Sequence, residues 1–535
     1  MRPAVERRGH VAAPGIAAGP VVRLDRTGGS RREPSGNPAL ERADLEAAIA
    51  SSIVAIADLA ATLEGEAADI LDFQIAMLED DALSSSAFAA IAKGVDAGTA
   101  WSDAIQVQVA DYEATADEYF RARAADLADI RDRVLRALAH DGDTATPPGA
   151  VLAGNDVTPS RFLSVDWASG GGLALFAGSA SSHVAMLARS RGVPMVVGTG
   201  PIDLGDNDIA IVDGEAGRIV LNPGAADWAA YEATRADTVA RSGREDAVLR
   251  LPAQTRDGMR RSEMINVAEP EELDALDPTT CDGIGLVRTE FLFHRPQGLP
   301  DEETQYRAYR RIVEWANGRP VVLRTLDAGG DKPVPGLTID DESNPFLGTR
   351  GIRLSLACPD VFMVQLRALA RAAALGDVKV MLPMVTVPQE IDRAAALLDR
   401  AVADLKAEGV ACRRPALGIM VEVPAVAIEP ALYANADFFS IGSNDLTQYV
   451  TASARDIAAV STLNDAGHPA ILSLIRRIVE VGREIGRDVS LCGDMGSDPA
   501  HIAALVGAGL ATLSVAPPLV GRTKLAIAET GAEAS

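Results

Sequence analysis

The 535-residue sequence is poor in cysteine, in aromatic side chains and in basic residues, and each shortage removes a class of protein. Its four cysteines, Cys281, Cys358, Cys412 and Cys492, lie far apart with no CxxC pair, which excludes a disulfide framework or a zinc knuckle. A reducing cytoplasm is the expected compartment. Lys and Arg number 50 against 75 Asp and Glu, a formal net charge of −25. No basic patch offsets that field, so nucleic acid is not an expected partner. No stretch reaches the ~18 uninterrupted apolar residues of a spanning helix, so no membrane is expected. The Arg-rich start MRPAVERRGH lacks the apolar core of a signal peptide, and Glu6 and Asp25 argue against a transit peptide.

What remains is an alanine-rich globular composition, 48% hydrophobic and 23% charged, which excludes bulk disorder. At roughly 100–200 residues per domain the length predicts three to four domains. Residues 38–142 read as consecutive helices: Leu45, Ile49, Ile53, Ile56, Leu59 and Leu63 recur at three- and four-residue steps, and Phe120, Leu127, Ile130 and Val134 share a second stripe. From 143 to 223 short apolar runs alternate with glycine-rich turns around one helix near 183–191, and the early segment HVAAPGIAAGPVVRL has the same character. Residues 1–37 and 143–223 are therefore expected to form one α/β unit with the helical block inserted into it. Residues 224–258 read as a charged, partly helical linker.

Eight apolar segments follow, at 263–268, 282–287, 320–325, 378–385, 416–423, 436–443, 488–494 and 512–517, most of them separated by helical stretches. Their number and spacing predict that 259–535 is a (β/α)8 TIM barrel, with an open doubly wound sheet as the alternative. In such a barrel chemistry sits at the carboxyl ends of the strands. There the sequence places Arg288 followed by Thr289 and Glu290, Arg324 with Asp327 beyond, Glu422, Asn444, Asp445 and Cys492. Any one of these alone is more often a solvated ion pair or a core thiol. Together they form a rim that fits a small multiply charged anion.

Arg288 and Arg324, joined by Arg350 and Arg455, suit bidentate capture of phosphate and carboxylate. Glu422 and Asp445 offer the one or two carboxylates that Mg²⁺ takes before completing its shell with water and substrate oxygens. Cys492 can exchange a proton with a carbon acid, and an unperturbed thiol near ~8.5 needs little tuning for that near neutrality. In the other half of the chain, GSASSHVAMLARSRGVP places His183 at the first turn of a helix behind N-cap candidates Ser181 and Ser182. The positive helix end disfavours imidazolium there, so the neutral ring can act as a nucleophile.

Ten ordered strings now carry a resemblance over almost the whole chain: APGIAAG, FQIAMLEDDAL, EYFRARAADLADI, SSHVAMLARSRGVPMVVGTG, GLVRTEFLF, RTLDAGGDK, NPFLGTRGIR, GIMVEVPA, DFFSIGSNDLTQY and LCGDMG. They resemble enzyme I of the phosphoenolpyruvate (PEP)-dependent sugar phosphotransferase system, and more broadly the PEP-utilising family that includes pyruvate phosphate dikinase and PEP synthase. The resemblance implies a transferase that moves the phosphoryl group of PEP to His183 and then to a histidine of the phosphocarrier protein HPr, releasing pyruvate. It assigns Arg288, Arg324, Arg350 and Arg455 to phosphate and carboxylate, Asn444 to substrate, Glu422 and Asp445 to Mg²⁺, and Cys492 to protonation of the enolate. It further implies a cytoplasmic homodimer joined through the barrel, and an HPr-docking surface on the helical block that includes the FQIAMLEDD helix and Arg123.

The sequence departs from the pattern in three places. GSASSH stands where the family has Gly-Gly-x-Thr-Ser-His, Ala454 replaces the acidic residue before Arg455, and Asp494 replaces the Glu after Cys-Gly. Other readings are a regulatory paralogue with weak turnover, an ATP-dependent PEP synthase or dikinase relative, and a barrel lyase for citrate-like acids. The second needs a large ATP-binding region that 38–142 does not supply, and the third leaves the first 223 residues unused.

Overall fold

The structure, a computed structural model, describes residues 2–24, 34–61, 66–113, 118–139, 146–178, 182–205, 207–293, 298–330, 332–339, 342–454, 457 and 460–531; the side chains of 66–69, 113, 118–125, 183 and 461 lie outside that description. The chain divides into two units, Met1–Thr238 and Val239–Ser535.

The first unit is built on an eight-stranded sheet of β1 (Val5–Arg8), β2 (His10–Ala13), β3 (Ile16–Arg23), β4 (Val151–Gly154), β5 (Gly172–Leu175), β6 (Met195–Val197), β7 (Ile209–Asp213) and β8 (Arg218–Leu221). Their order across the sheet is β1-β8-β7-β3-β4-β5-β6-β2. Strand β3 is the joint: Ile16–Pro20 pair antiparallel with β7, while Val21–Arg23 pair parallel with β4. The sequence pattern misses β1, whose residues VERR carry three charges in four positions. It is an edge strand paired only with β8, where charges guard an open ladder rather than a core.

Between β3 and β4 the described residues form five helices, α1 (Pro38–Ala60), α2 (Glu66–Glu79), α3 (Asp81–Ile91), α4 (Ala97–Glu113) and α5 (Glu118–Leu138). Leu45 and Ile56 of α1 and Leu127, Ile130 and Val134 of α5 are buried as their spacing predicts; Leu63 and the Phe120 side chain lie outside the described residues. The FQIAMLEDD segment is two helices rather than one. Asp80 takes extended backbone angles and its carboxylate accepts the Ala82 N–H, so it ends α2 and caps α3.

A short helix α6 (Pro159–Leu163) and α7 (His183–Ser190) cover the sheet, and the apolar face of α7 shares one core with the helical block. Asp129 of α5 keys that junction, accepting from Gln74 Nε2, Ser160 N and Ser160 Oγ at 3.1, 3.1 and 2.8 Å. The segment expected to be a partly helical linker is largely one helix, α8 (Ala225–Val248), of 24 residues with none buried. At 1.5 Å per residue it spans roughly 36 Å.

The second unit is a closed barrel of eight parallel strands: β9 (Ser262–Val267), β10 (Ile284–Val287), β11 (Val321–Arg324), β12 (Val378–Leu382), β13 (Ala416–Val421), β14 (Phe438–Ile441), β15 (Asp488–Leu491) and β16 (Thr512–Val515). Register closes where Val515 of β16 pairs with Ile265 of β9. Each of the eight expected segments contains one strand. Several expectations run past the strand's end because polar residues such as Glu422 and Cys492 follow the last apolar one, where the chain turns out of the barrel. The lumen is filled by Leu286, Val322, Met381, Met420, Phe438 and Cys492, so it is a packed plug.

Outside the barrel wall, Glu263 on β9 is fully buried, and neither carboxyl oxygen finds a hydrogen-bond partner among the described residues. Burial pushes its pKa up to about 9, with Lys524 opposing the rise and Asp282 adding to it. Lys524 is itself lowered by burial, and its ammonium donates to the carbonyls of Leu249 and Thr280 at 2.6 and 2.7 Å. The folded protein thus keeps a proton that the unfolded chain releases near 4.5, so folding stability falls as pH rises through that window towards 9. Scanning calorimetry on the full chain is expected to show the barrel transition falling between about pH 6 and 8.5 by at least about 2 °C, the shift that roughly 1 kcal/mol gives a large domain. Glu263→Gln should flatten that slope, and an equal slope in both proteins would contradict the assignment.

Candidate active site

Parallel strands place their carboxyl ends on one rim, and the expected residues gather there. Arg288 follows β10, Arg324 is the last residue of β11, Glu422 follows β13 and Cys492 follows β15. Asn444 and Asp445 lie in the first turn of the helix Ser443–Thr451 that leaves β14, where the helix dipole favours an acid. Gly442 is needed at that turn: a Cβ on it would lie 2.9 Å from the Met420 side chain and 3.1 Å from Glu422 Oε2. Arg350 enters from the loop after β11 and is buried. Arg455 lies outside the described residues.

The centre of the rim is Asp327. Its Oδ1 and Oδ2 take Arg350 Nε and Nη2, both at 3.0 Å, and Oδ2 also faces Arg324 Nη1 at 3.2 Å and Lys332 Nζ at 3.6 Å. Burial works to raise the Asp327 pKa, but the Arg324 and Arg350 guanidiniums and Lys332 outweigh it and hold the carboxyl well below the usual range. Arg324 Nη2 donates to Glu290 Oε1 at 2.8 Å, and the same oxygen accepts the Asp327 N–H at 2.9 Å. Arg350 Nη2 reaches Asp445 Oδ2 at 3.2 Å. Burial works to lower both guanidiniums, and these carboxylates outweigh it and raise them well above the ordinary arginine value. Beneath the network, Gln365 accepts the Leu326 N–H at 3.0 Å and donates to Thr289, whose hydroxyl donates to the Arg324 carbonyl.

Among the described residues, Arg324 Nε, Glu290 Oε2 and Glu422 Oε2 of this network are buried without a hydrogen-bond partner. Glu422 Oε1 accepts the Met384 N–H at 2.6 Å. Burial first, then the Asp445 and Asp327 carboxylates, push Glu422 up to about 8 against the pull of Arg324 and Arg350. A free carboxyl oxygen beside a second carboxylate is a donor set a hard divalent cation fits, with Glu422 and Asp445 supplying the protein oxygens. Among the described residues no three His, Cys, Asp or Glu side chains converge as a metal cage, so the remaining ligands would be water and substrate.

Cys492 is buried on the apolar plug. Its thiol donates weakly to the Ile441 carbonyl at 3.6 Å, and its own carbonyl accepts Asn266 Nδ2 at 3.0 Å. Burial pushes the thiol up to about 11, opposed by Ser440 and Arg324. This corrects the expectation of a thiol needing little tuning: it is locked in its protonated form, which suits an acid. Arg288 is exposed. Asn444 is held by Asp494: its Nδ2 donates to Asp494 Oδ2 at 2.9 Å and its Oδ1 accepts the Asp494 N–H at 3.0 Å, which leaves its second amide N–H for a further contact.

In the first unit, His183 is the first residue of α7, and Ser182 caps that helix by accepting the Ala185 N–H at 3.2 Å. The His183 side chain and Ser181 lie outside the described residues. Sequence alone places Glu290 and Asp327 on the rim without giving them a role, and offers nothing for Lys332, Met384 and Tyr449 as site residues. The first two stood directly beside the strand-end arginines, which was the available signal; the others are brought in only by the loops.

The chain matches three family descriptions in order: PEP-utilising enzyme, N-terminal, over residues 8–123; PEP-utilising enzyme, mobile domain, over 146–217; and PEP-utilising enzyme, PEP-binding domain, over 242–532. It is similar to a phosphoenolpyruvate-protein phosphotransferase of Haloferax volcanii, 39% identical over 87% of this chain and 82% of that protein. The proteins of the same name from Geobacillus stearothermophilus and Listeria monocytogenes are 36% and 35% identical, over 95% and 84% of this chain and 90% and 80% of theirs.

Two outcomes are expected from this geometry. Asp327→Ala strands two buried guanidiniums and should cost about 3–5 kcal/mol in denaturant unfolding; a loss below about 1 kcal/mol would contradict the network. Alkylation of Cys492 by iodoacetamide, followed by peptide mass spectrometry, should stay slow through pH 9 and rise only towards 11. Half-maximal reactivity near an ordinary thiol pKa would show that burial does not hold the proton.

Proposed function

The chain belongs to the PEP-utilising enzyme family, and we propose that it acts as a phosphoenolpyruvate-protein phosphotransferase. The observation that carries this reading is the pairing of an arginine-rich, cation-fitting rim with a protonated buried thiol, at the strand ends of the domain matched as PEP-binding.

Arg288, Arg324 and Arg350, with Arg455, bind the phosphate and carboxylate of PEP, and Asn444 is a further contact, sharing its amide with Asp494. The cofactor is a divalent metal ion, taken here as Mg²⁺, which Glu422 and Asp445 would hold; once bound it supplies positive charge to the phosphoryl and enolate oxygens. Arg324 and Arg350 are already oriented by Glu290, Asp327 and Asp445, so little reorganisation is required when the substrate arrives.

The phosphorus–oxygen bond of PEP breaks as a His183 ring nitrogen forms its bond to phosphorus. The departing enolate then takes the Cys492 thiol proton at its terminal carbon and leaves as pyruvate. Neutral imidazole is the reactive form, and its place at the first residue of α7 favours that form and offers backbone N–H groups to the phosphoryl oxygens. The phosphoryl group passes on to a phosphocarrier protein, which we take to be HPr docking on the helical block. A homodimer through the barrel and a cytoplasmic location belong to the same reading. The expected domains are 1–37 with 143–223 for phosphohistidine, 38–142 for HPr, 224–258 as linker and 259–535 for PEP.

Incubation with radiolabelled PEP and Mg²⁺ should label the protein, and added HPr should remove the label. His183→Ala should abolish labelling, while Cys492→Ala should slow turnover at least about 100-fold, the scale of a lost general acid, with the fold retained. Labelling that persists without His183 would sink the proposal.

A further inference from the structure

Met384 is one of four non-glycine residues with positive φ among the described residues, at 58°, and it lies in the candidate site. A left-handed backbone costs a side-chain-bearing residue of order 1–3 kcal/mol and persists only where the surroundings impose it. Here they do. Met384 follows β12 and Pro383, and its neighbours come from the segments after three other strands: Gly351 after β11, Glu422 after β13, and Tyr449 in the helix after β14. Gly351, itself at φ 60°, lies against it so closely that a Cβ there would meet Met384 Cβ at 2.9 Å and Cγ at 3.0 Å. The Tyr449 hydroxyl approaches Met384 Sδ at 3.9 Å while donating to the Phe346 carbonyl at 2.7 Å. The Pro383 carbonyl is fixed by the Ile352 N–H at 3.3 Å.

The strained conformation has one visible product: the Met384 N–H donates to Glu422 Oε1 at 2.6 Å, while Glu422 Oε2 stays buried and unpartnered. We propose that Met384 is a positioning residue, clamped by Gly351 and Tyr449 so that its backbone N–H occupies one oxygen of Glu422 and reserves the other for the cation. This rests on Glu422 being a cation ligand, as argued above. Without the clamp, Glu422 can rotate and either oxygen can turn to the network arginines. The side chain never touches the cation; it acts through the backbone geometry it enforces, the way outer partners of metal ligands commonly act.

The test uses the full chain without PEP or phosphocarrier, with Mn²⁺ as the probe, read by electron paramagnetic resonance titration alongside thermal unfolding of the metal-free protein. Met384→Gly keeps the N–H and adopts the backbone angle without strain, but removes the clamp. It should bind Mn²⁺ at least about 10-fold more weakly, within the range seen for lost outer partners, while its metal-free unfolding temperature falls, as the loss of a buried side chain requires. A role in packing alone would lower the unfolding temperature and leave Mn²⁺ affinity unchanged. Gly351→Ala, which pushes on the same side chain from the other direction, should also weaken Mn²⁺, and Met384→Leu should restore most of the affinity. Glu422→Gln separates the two claims. If Mn²⁺ binding survives Glu422→Gln, the cation site itself is misassigned and the clamp falls with it. If Glu422→Gln loses the ion while Met384→Gly and Gly351→Ala both bind within about twofold of the parent, the clamp alone is overturned.

Discussion

The site depends on one buried carboxylate. Asp327 is fully buried yet ionised, because Arg324, Arg350 and Lys332 surround it, and it in turn offsets the desolvation of the buried Arg324 and Arg350 guanidiniums. The plug of Leu286, Val322, Met381, Met420, Phe438 and Cys492 below offers no solvation, so the charges must neutralise one another sideways around the rim. Glu290 and Asp445 complete the balance at either end. Among the described residues the network leaves without a partner one guanidinium N–H, on Arg324, and single oxygens on Glu290 and Glu422. A phosphate-bearing anion and a divalent cation are the natural pair to close those valences.

The same burial sets the acid. Cys492 sits at the edge of the apolar plug and keeps its proton far past neutrality, so it presents a donor rather than a thiolate to whatever lies above it. The nucleophile assigned by the proposal is in the other unit, at the start of a helix whose remaining face is buried in the core shared with the helical block. The barrel thus gives Cys492 a low-dielectric setting, while the nucleophile proposed at the first residue of α7 has the positive end of a helix beside it.

How much of this could be read in the sequence varies with how local the cause is. Apolar runs ending in a polar residue gave away the barrel and its rim, because a parallel strand buried on both faces is a continuous apolar word and its end is marked by the first charge. Charged β1 escaped for the converse reason. The break at Asp80 inside FQIAMLEDD was written in a capping residue but hidden by helical periodicity on both sides. Glu290 and Asp327 were visible as neighbours of the arginines, yet their ranking above Arg288 in the network depends on loop geometry that no spacing rule encodes. Met384 left no signal at all, since methionine is among the last residues expected at a left-handed angle. The change from Glu to Asp at 494 was legible, but its consequence, a reciprocal pair of bonds with Asn444, was not.

The proposed chemistry moves phosphorus from PEP to a nitrogen of this chain. A ³¹P magnetic resonance spectrum of the intact protein after addition of PEP and Mg²⁺ tests it most directly. A new protein-bound resonance is expected that survives alkali and disappears in mild acid, as a phosphorus–nitrogen bond does, with pyruvate released in equal amount. A resonance that survives acid, as a phosphate ester would, or pyruvate formed with no bound phosphorus, would contradict it.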